Sequence, residues 1–305
     1  MAEQKIKNTT LVPVDFSKCS KSALKHACDI ATVIEEKQNV HLLYVIEDRE
    51  INELINSKTE IRDDGSHESI LVEGARSKLK ELISEFKEDY DLPMDYSITG
   101  GKPYEKIAEV ADKIDAESIV MGTMGAKGAF ASFIGSNAAK VMQISPCPVI
   151  AINEQARAKE YNKIVLPLDL EKETRQKVKY AIQMAKYFNS TVHVVSAMEN
   201  DRYLQQRVKN NLYEVERRLK ESNVDYTTDV LTDVDDFVDS TIKFAEEKDA
   251  DLIIIMTRQE QSIRDFFLGS YAQRIVHKSL IPVMAIHPNQ EFMKSYSMTS
   301  PGMGI

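Results

Sequence analysis

The sequence predicts an α/β fold with two tandem domains, each built on a five-stranded parallel sheet. Three observations support this prediction. Strand-like and helix-like segments alternate along the chain, the strands are apolar nearly throughout, and the whole pattern restarts after residue 160. Continuous apolar strands are typical of sheets that helices cover on both faces. A βαβα order of this kind indicates a parallel sheet between two layers of helices.

The first half supplies five strands and four helices. A strand at 9–14 leads into a helix for which either Ser17 or Ser20 could be the N-cap, and apolar residues recur in it at helical spacing. Residues 47–67 are charged with little periodicity and predict a loop or a partly helical insertion. The other predicted elements are strands at 40–46, 95–99, 117–121 and 149–152, and helices at about 69–89, 104–114 and 136–144.

The second half repeats the first. Residues 164–169 repeat residues 10–15 at an offset of 154, and the closing strand at 281–286 repeats 147–152 at an offset of 134. A fixed period of this kind indicates a duplicated unit, here shortened by 20 residues, most simply in the insertion after the second strand. We therefore predict domains at 1–153 and 161–288, followed by a flexible tail at 289–305.

Composition excludes several classes of function. The chain has 305 residues and a formal net charge of -9, an acidic balance that argues against nucleic-acid and anionic-membrane binding. Its apolar runs are far shorter than the roughly 20 residues of a membrane helix, and its start has no signal-peptide pattern. The 3 cysteines lack CxxC spacing, so we expect reduced thiols in a cytoplasmic protein.

One loop carries most of the chemical information. It follows the fourth strand and reads MGTMGAKGAFASFIGSN over 121–137. Gly122 and Gly125 would let the backbone take positive φ and approach a ligand, so valine at either should weaken binding without unfolding the protein. Lys127 could add a positive charge, although it could equally be solvated.

The end of this loop and the end of the first strand complete the pattern. Gly135 and Ser136 would place N–H groups and a hydroxyl at a helix N-terminus, where phosphate oxygens are favoured. In parallel α/β sheets, ligands bind outside the carboxyl ends of the strands, and Asp15 lies at that end of the first strand. Asp15 could also simply cap or brace its own loop.

The spacing G-x2-G-x9-G-S of this loop resembles the ATP-binding signature of the universal stress protein family. The segments VPVDFS at 12–17 and CPVI at 147–150 are similar to that family's first and last strands, and Gly101-x-Pro103 fits as well. The resemblance covers both halves and is more specific in 1–152. It implies a tandem Rossmann-like (adenine nucleotide alpha hydrolase-like) protein that acts in the stress response, with nucleotide binding in some members and no well-defined catalysis.

Carried over by position, the resemblance implies an ATP site in the first half and leaves open whether Mg²⁺ accompanies the phosphates. The residues that would surround the adenosine are Pro13, Val14, Asp15 and Val45. The residues that would hold ribose and phosphates are Met121, Gly122, Gly125, Gly135, Ser136 and Asn137, with Lys127 beside them.

The second half departs from this signature. Gly122 and Gly125 are replaced by Met256 and Gln259, whereas the Gly-Ser pair persists as Gly269-Ser270 and Asp15 persists as Asp169. Long side chains in place of two glycines would occupy space that phosphates need. We expect one ATP per chain.

Three functions stay open at this point. The first is an ATP-binding regulatory protein with slow hydrolysis at most, the second a nucleotide-using enzyme, and the third a scaffold whose second-domain cavity binds another small molecule. The sequence has no H-E-x-x-H and no G-x-x-x-x-G-K-[ST], which favours the first. We also expect the edge strands at 149–152 and 283–286 to join the halves as an internal dimer, and a homodimer of whole chains is left open.

Overall fold

A computed structural model describes residues 8–34, 38–47, 66–123, 135–156, 160–168, 176–198, 201–232, 234–257 and 270–288. Most of the predicted insertion at 47–67 and the predicted tail at 289–305 lie outside these residues. Among the described helices, none is long and apolar enough to cross a membrane.

Ten strands of the described residues form one sheet. They are β1 (Thr9–Pro13), β2 (Asn39–Ile46), β3 (Met94–Gly100), β4 (Ser118–Gly122), β5 (Val149–Ile152), β6 (Lys163–Leu168), β7 (Thr191–Ala197), β8 (Tyr226–Leu231), β9 (Leu252–Met256) and β10 (Val283–Ile286). Their order in the sheet is β3-β2-β1-β4-β5-β10-β9-β6-β7-β8. All neighbours are parallel except β5 and β10, which pair antiparallel. The predicted fold class is confirmed.

Helices cover both faces of this sheet. The described helices are α1 (Lys18–Val33), α2 (Ser66–Lys87), α3 (Pro103–Lys113), α4 (Ser136–Ile144), α5 (Gln176–Phe188), α6 (Arg202–Glu221), α7 (Phe237–Glu247) and α8 (Ser270–Lys278). One core contains side chains of α1, α2, α5 and α6, and the other contains those of α3, α4, α7 and α8. Successive strand residues alternate between the two cores, as the two-residue period of a strand requires. Each core continues across both halves of the chain.

The joint between the halves depends on how β5 shares its hydrogen bonds. The Thr123 N–H donates to the Ile152 carbonyl at 3.0 Å, so the backbone groups of even-numbered β5 residues point toward β4. Those of the odd-numbered residues Val149 and Ala151 therefore point toward β10, where Ala151 lies opposite Val283. This is the pairing that the two apolar edge strands predict.

A buried polar contact adds to the joint. Tyr161, which comes just before β6, is fully buried, and its hydroxyl lies 2.7 Å from Nε2 of His26 in α1. Its ring packs edge-on against Phe188 of α5 at a centroid distance of 5.1 Å. The segment that enters the second half is thereby anchored on a helix of the first half.

We predict that Ala151→Pro weakens the joint, because proline removes the N–H that faces β10 and leaves a buried carbonyl without its donor. The free energy of unfolding in urea should fall by about 1–3 kcal/mol relative to Ala151→Gly, which keeps the N–H. Amide exchange in β5 and β10 should also accelerate. Equal stability of the two variants, or unprotected β5 and β10 amides in the wild-type protein, would contradict this account of the joint.

Candidate functional site

The candidate site lies at the carboxyl edge of the first-half sheet. The chain leaves β1 and forms β2 on one side of it, whereas β4 lies on the other side. At such a reversal of strand order the loops diverge and leave a crevice, which is where open α/β sheets bind ligands. The ends of β1, β2 and β4 carry most of the predicted site residues.

Asp15 sits in the turn from β1 into α1. Its Oδ1 accepts a hydrogen bond from the Ser17 N–H at 3.0 Å, and the residue is exposed. Ser17 is the N-cap of α1, because its Oγ accepts from the Ser20 N–H at 3.1 Å. Asp15 therefore braces the start of the helix, and it also presents a negatively charged group to the crevice.

Phe16 was not predicted as part of the site. Its φ of 61° lies in the left-handed region, which is uncommon for a bulky side chain and costs free energy. The ring lies 5.0 Å from the ring of Tyr44 on β2, and Nζ of Lys78 lies 5.4 Å from its centroid. These contacts hold the strained turn in place. No sequence pattern marks such a conformation, since a left-handed turn normally calls for Gly, Asn or Asp.

Gly122 has a different role from the one predicted. Its φ is not in the left-handed region, and a Cβ there would lie 2.7 Å from Sγ and 3.1 Å from the carbonyl carbon and oxygen of Cys19. Glycine therefore lets the first turn of α1 rest directly on the end of β4. The expectation that Gly122 adopts positive φ is wrong. A valine there would displace α1, so Gly122→Val cannot report on ligand contact alone.

Among the described glycines, the one that adopts positive φ is Gly101, before α3. Its φ is 131°, and its N–H donates to the carbonyl of Ile46 at 3.0 Å. This turn directs the chain from β3 into Pro103, the first residue of α3. In the second half, Asp235 occupies the corresponding position and is not in the left-handed region.

The N-terminus of α4 faces the same edge. Gly135 is its N-cap, and the Gly135 N–H donates to the Thr123 carbonyl at 2.7 Å, which brings the helix start to the end of β4. The first helical bond runs from the Ala139 N–H to the Gly135 carbonyl, so the three preceding N–H groups have no intrahelical partner. Ser136 is exposed and Asn137 half-buried. The terminus thus offers backbone donors and a partial positive charge.

The other predicted residues contribute in different ways. Val14 is buried, and its N–H donates to the Leu43 carbonyl at 2.9 Å, which ties the end of β1 to β2. Pro13 and Val45 are half-buried near the ends of those strands. Met121 is buried in the core beneath α4, so its side chain does not reach the crevice. The predicted site residues Gly125 and Lys127 lie outside the described residues.

The second half has the same framework with different chemistry. Lys177 of α5 stands where α1 has Ala23, and it is buried with Nζ donating to the Pro167 carbonyl near the end of β6. An ammonium thus lies at the edge where the first half has only a methyl group. Met256 is buried at the position of Gly122.

The start of α8 also differs from the start of α4. Tyr271 replaces Asn137, stacks on Phe237 at 5.7 Å, and brings its hydroxyl within 3.3 Å of Thr241 Oγ1. Its side chain therefore packs against α7. The second-half positions Asp169, Gln259 and Gly269 lie outside the described residues.

Metal-ligating side chains do not cluster in the described part of the chain, where no three His, Cys, Asp or Glu side chains gather as a metal site. Burial raises the pKa of Cys28 and of Cys147 to about 12, so both stay protonated at neutral pH. His41 lies on β2 with Nδ1 2.5 Å from Asp95 on β3, and this hydrogen bond lowers the pKa of that carboxyl.

Comparisons with known proteins agree with this architecture. The model of the universal stress protein family matches residues 8–153 and 160–287. A universal stress protein of Methanocaldococcus jannaschii is 29% identical over 147 residues, which are 47% of this chain and 81% of that protein. One from Mycolicibacterium smegmatis is 27% identical over 117 residues, 38% of this chain and 89% of that protein.

A solved structure has the same fold over nearly the whole chain. The universal stress protein from Archaeoglobus fulgidus superposes with a TM-score of 0.74 and covers 93% of this chain and 99% of its own. Its sequence is 18% identical, so the similarity concerns the fold alone.

We predict that Gly122→Ala destabilises the protein, since the new methyl group collides with the backbone of α1. The free energy of unfolding should fall by about 1–3 kcal/mol, as overpacking typically costs. Gly74→Ala in α2 is the matched control, because a Cβ there meets nothing within 4 Å and should stabilise by about 0.5–1 kcal/mol. If urea titration gave both variants the same change, the close approach of α1 to β4 would be wrong.

Proposed function

The chain belongs to the universal stress protein family, and from that premise we propose that its N-terminal half binds an adenine nucleotide, with ATP as the expected ligand. One observation carries the proposal. The N-termini of α1 and α4 meet the end of β4, beside the exposed carboxylate of Asp15, at the reversal point of the sheet. This arrangement combines a site for anions with an acceptor for hydroxyl groups.

The phosphates would bind at α4. The N–H groups of Ser136, Asn137 and Ala138 precede the first bond of the helix, and the helix dipole favours negative charge there. The Ser136 hydroxyl is exposed beside them and can donate a further hydrogen bond. Gly125 and Lys127 are included in the proposed phosphate site only because they fit the sequence signature. Mg²⁺ would enter with the phosphates, bound mainly by their oxygens.

The adenosine would bind nearer β1 and β2. A carboxylate at the end of a strand can accept hydrogen bonds from ribose hydroxyls, as acidic residues do in dinucleotide-binding folds, and Asp15 is so placed. Pro13 and Val45 would supply the apolar side of this pocket, and Val14 would contribute only its backbone because its side chain is buried.

We propose that the second half does not bind ATP. Met256 and Gln259 stand where the first half has the signature glycines Gly122 and Gly125, and Tyr271 packs its ring against α7 where the first half has an amide. Each hydrogen bond to a charged phosphate contributes about 1.5–3 kcal/mol, so the loss of two would lower affinity roughly a hundredfold to more than ten-thousandfold. The protein would then act in the cytoplasm as a regulatory nucleotide-binding protein in the stress response rather than as an enzyme.

A proline at position 136 tests the phosphate site without disturbing the helix. Proline is tolerated at the first helical position, α3 already begins with one, and Gly135 has the extended backbone (φ -56°, ψ 138°) that a following proline requires. Ser136→Pro removes one N–H and the hydroxyl, and Ser136→Ala removes only the hydroxyl.

By isothermal titration calorimetry, Ser136→Pro should weaken ATP binding by about 10- to 150-fold, the equivalent of one charge-assisted hydrogen bond. Ser136→Ala should have a smaller effect, and both variants should melt like the wild type. Unchanged ATP affinity in folded Ser136→Pro would exclude α4 as the phosphate site.

Stoichiometry tests the difference between the halves. Equilibrium dialysis with labelled ATP should saturate near one equivalent per chain, because only the first half keeps all four signature residues Gly122, Gly125, Gly135 and Ser136. Ser270→Ala in α8 should leave this value and the affinity unchanged. Two equivalents of similar affinity, or one that survives Ser136→Pro and is lost in Ser270→Ala, would overturn the assignment.

A further inference from the structure

A hydrogen-bonded trio of Asp95, His41 and Ser97 lies on β2 and β3. Nδ1 of His41 is 2.5 Å from Asp95 Oδ1, and Nε2 of the same ring is 2.8 Å from Ser97 Oγ. An imidazole that bonds a carboxylate with one nitrogen and a hydroxyl with the other is the arrangement by which serine nucleophiles are recognised, whatever the fold. None of these three residues belongs to the nucleotide site proposed above.

Strand geometry brings these three side chains together. His41 lies directly opposite Asp95 in the parallel pairing of β2 with β3, and Ser97 follows two residues after Asp95. Side chains two residues apart on a strand point to the same face, so the carboxylate and the hydroxyl both reach the ring. On its other side His41 lies opposite Leu11 of β1, which is fully buried. The trio is therefore held by regular strands, which fix its geometry better than a loop would.

The carboxylate determines which ring nitrogen carries the proton. The hydrogen bond from His41 lowers the pKa of Asp95, so this carboxyl is ionised at neutral pH and can only accept. Nδ1 of the neutral ring therefore carries the hydrogen, and Nε2 carries a lone pair. The hydroxyl of Ser97 is then the donor to Nε2, which is the direction that proton transfer to a general base requires.

The trio can be reached from outside the sheet. In the described sheet β3 is a terminal strand. The side chain of Asp95 is 61% exposed and that of His41 is 12% exposed, whereas Ser97 is half-buried. The hydroxyl is thus partly shielded from water without being enclosed, and a small molecule can approach it.

The backbone beside Ser97 offers a donor for negative charge that develops on a substrate. The Gly101 N–H donates to the Ile46 carbonyl at 3.0 Å, so in this register the odd-numbered residues of β3 direct their N–H and C=O groups at β2. The groups of the even-numbered residues point away from β2, and Ile98 is one of them. In hydrolases with a serine nucleophile, the N–H of the residue after the serine is one of the oxyanion donors. The N–H of Ile98 has that position here.

The second half keeps the imidazole and changes both of its partners. His193 of β7 corresponds to His41, and its Nδ1 lies 2.8 Å from the hydroxyl of Thr227, which stands where the first half has the carboxylate. Asp229 occupies the position of Ser97. A serine that is hydrogen-bonded to a carboxylate-oriented imidazole at this register is therefore a feature of the first half.

We propose that Ser97 is a nucleophile that accepts the acyl group of a small ester, with His41 as its general base. Ser97 Oγ bonds to the carbonyl carbon while its proton passes to His41 Nε2, and the Ile98 N–H donates to the oxyanion. The bond to the alcohol oxygen then breaks, and His41 returns the proton to that oxygen. Water, which gives a proton to His41, then hydrolyses the ester on Ser97 and releases the acid.

Asp95 is a positioning residue in this reaction, because it acts only through the ring of His41. The activity is additional to nucleotide binding and does not depend on it, since β3 is separated in the sheet from β4 by β2 and β1.

A fluorophosphonate probe locates the nucleophile in the full chain, because it forms a stable P–O bond with a reactive serine Oγ and expels fluoride. Peptide mapping by mass spectrometry should find the adduct on Ser97 in the folded protein and none on Ser97 in protein unfolded in urea. Labelling should persist in Ser136→Pro, which alters only the proposed nucleotide site. An unlabelled Ser97 in the folded protein, or equal labelling of several serines, would overturn the proposal.

Hydrolysis of p-nitrophenyl acetate separates the roles within the trio, with fluorophosphonate-blocked protein as the background to subtract. Ser97→Ala and His41→Gln should each lower the rate by about a hundredfold or more. Asp95→Asn should lower it by about tenfold or more, because an amide does not enforce the required tautomer.

Ser118→Ala is the matched control and should leave the rate unchanged. Ser118 of β4 is also half-buried, but its hydroxyl lies 3.5 Å from Thr10 Oγ1 instead of beside an imidazole. A merely structural trio would give Ser97→Ala and His41→Gln variants that melt earlier yet hydrolyse the ester at the wild-type rate. That result, or equal rates for Ser97→Ala and Ser118→Ala, would overturn the proposal.

Discussion

The antiparallel pairing of β5 and β10 is the constraint on which the rest of the molecule depends. Two strands of four residues each turn two five-stranded sheets into one, because their odd-numbered residues direct N–H and C=O groups at each other. If β5 and β10 did not pair, each would expose an edge of unpaired N–H and C=O groups. The pairing also makes both helical layers continuous, so that α1 and α5 come to flank the same part of the sheet.

The direction of that pairing separates the chemistry of the two halves. The strands β5 and β10 run antiparallel, while the strands within each half are parallel. The strands of the two halves therefore point in opposite directions, and their carboxyl ends lie at opposite edges of the sheet. Core positions stay apolar in both copies at pairs such as Leu11 and Val165, whereas Ala23 corresponds to the buried Lys177 and Asn137 to Tyr271. A duplicated framework can therefore keep its packing while the side chains at one of its edges change.

Much of this architecture could be predicted from the sequence, because periodicity and repetition report directly on packing. The helix at 136–144 and the strand at 149–152 were predicted with the bounds that the structure gives. The role of Gly122 was not, because a glycine in a sequence does not reveal which neighbour approaches it; here the neighbour is Cys19, more than one hundred residues earlier.

Three further features depend on tertiary contacts and were not predictable. The left-handed turn at Phe16 is held by a ring on another strand, and the amine of the buried Lys177 reaches a carbonyl of β6. The trio of Asp95, His41 and Ser97 depends on the register in which β2 and β3 pair. The hydrophobic pattern within one segment does not show which distant residues that segment contacts.

The central claim is that one edge of the sheet holds the nucleotide and its duplicate does not. An ATP titration followed by ¹H–¹⁵N correlation NMR tests this most directly, because it reads backbone amides at both helix starts in one experiment. The account predicts saturable shifts at the amides of Ser136, Asn137 and Ala138 and at Phe16, with no comparable shifts at Ser270, Tyr271 and Ala272. Shifts confined to the start of α8, or equal at both helix starts, would contradict it.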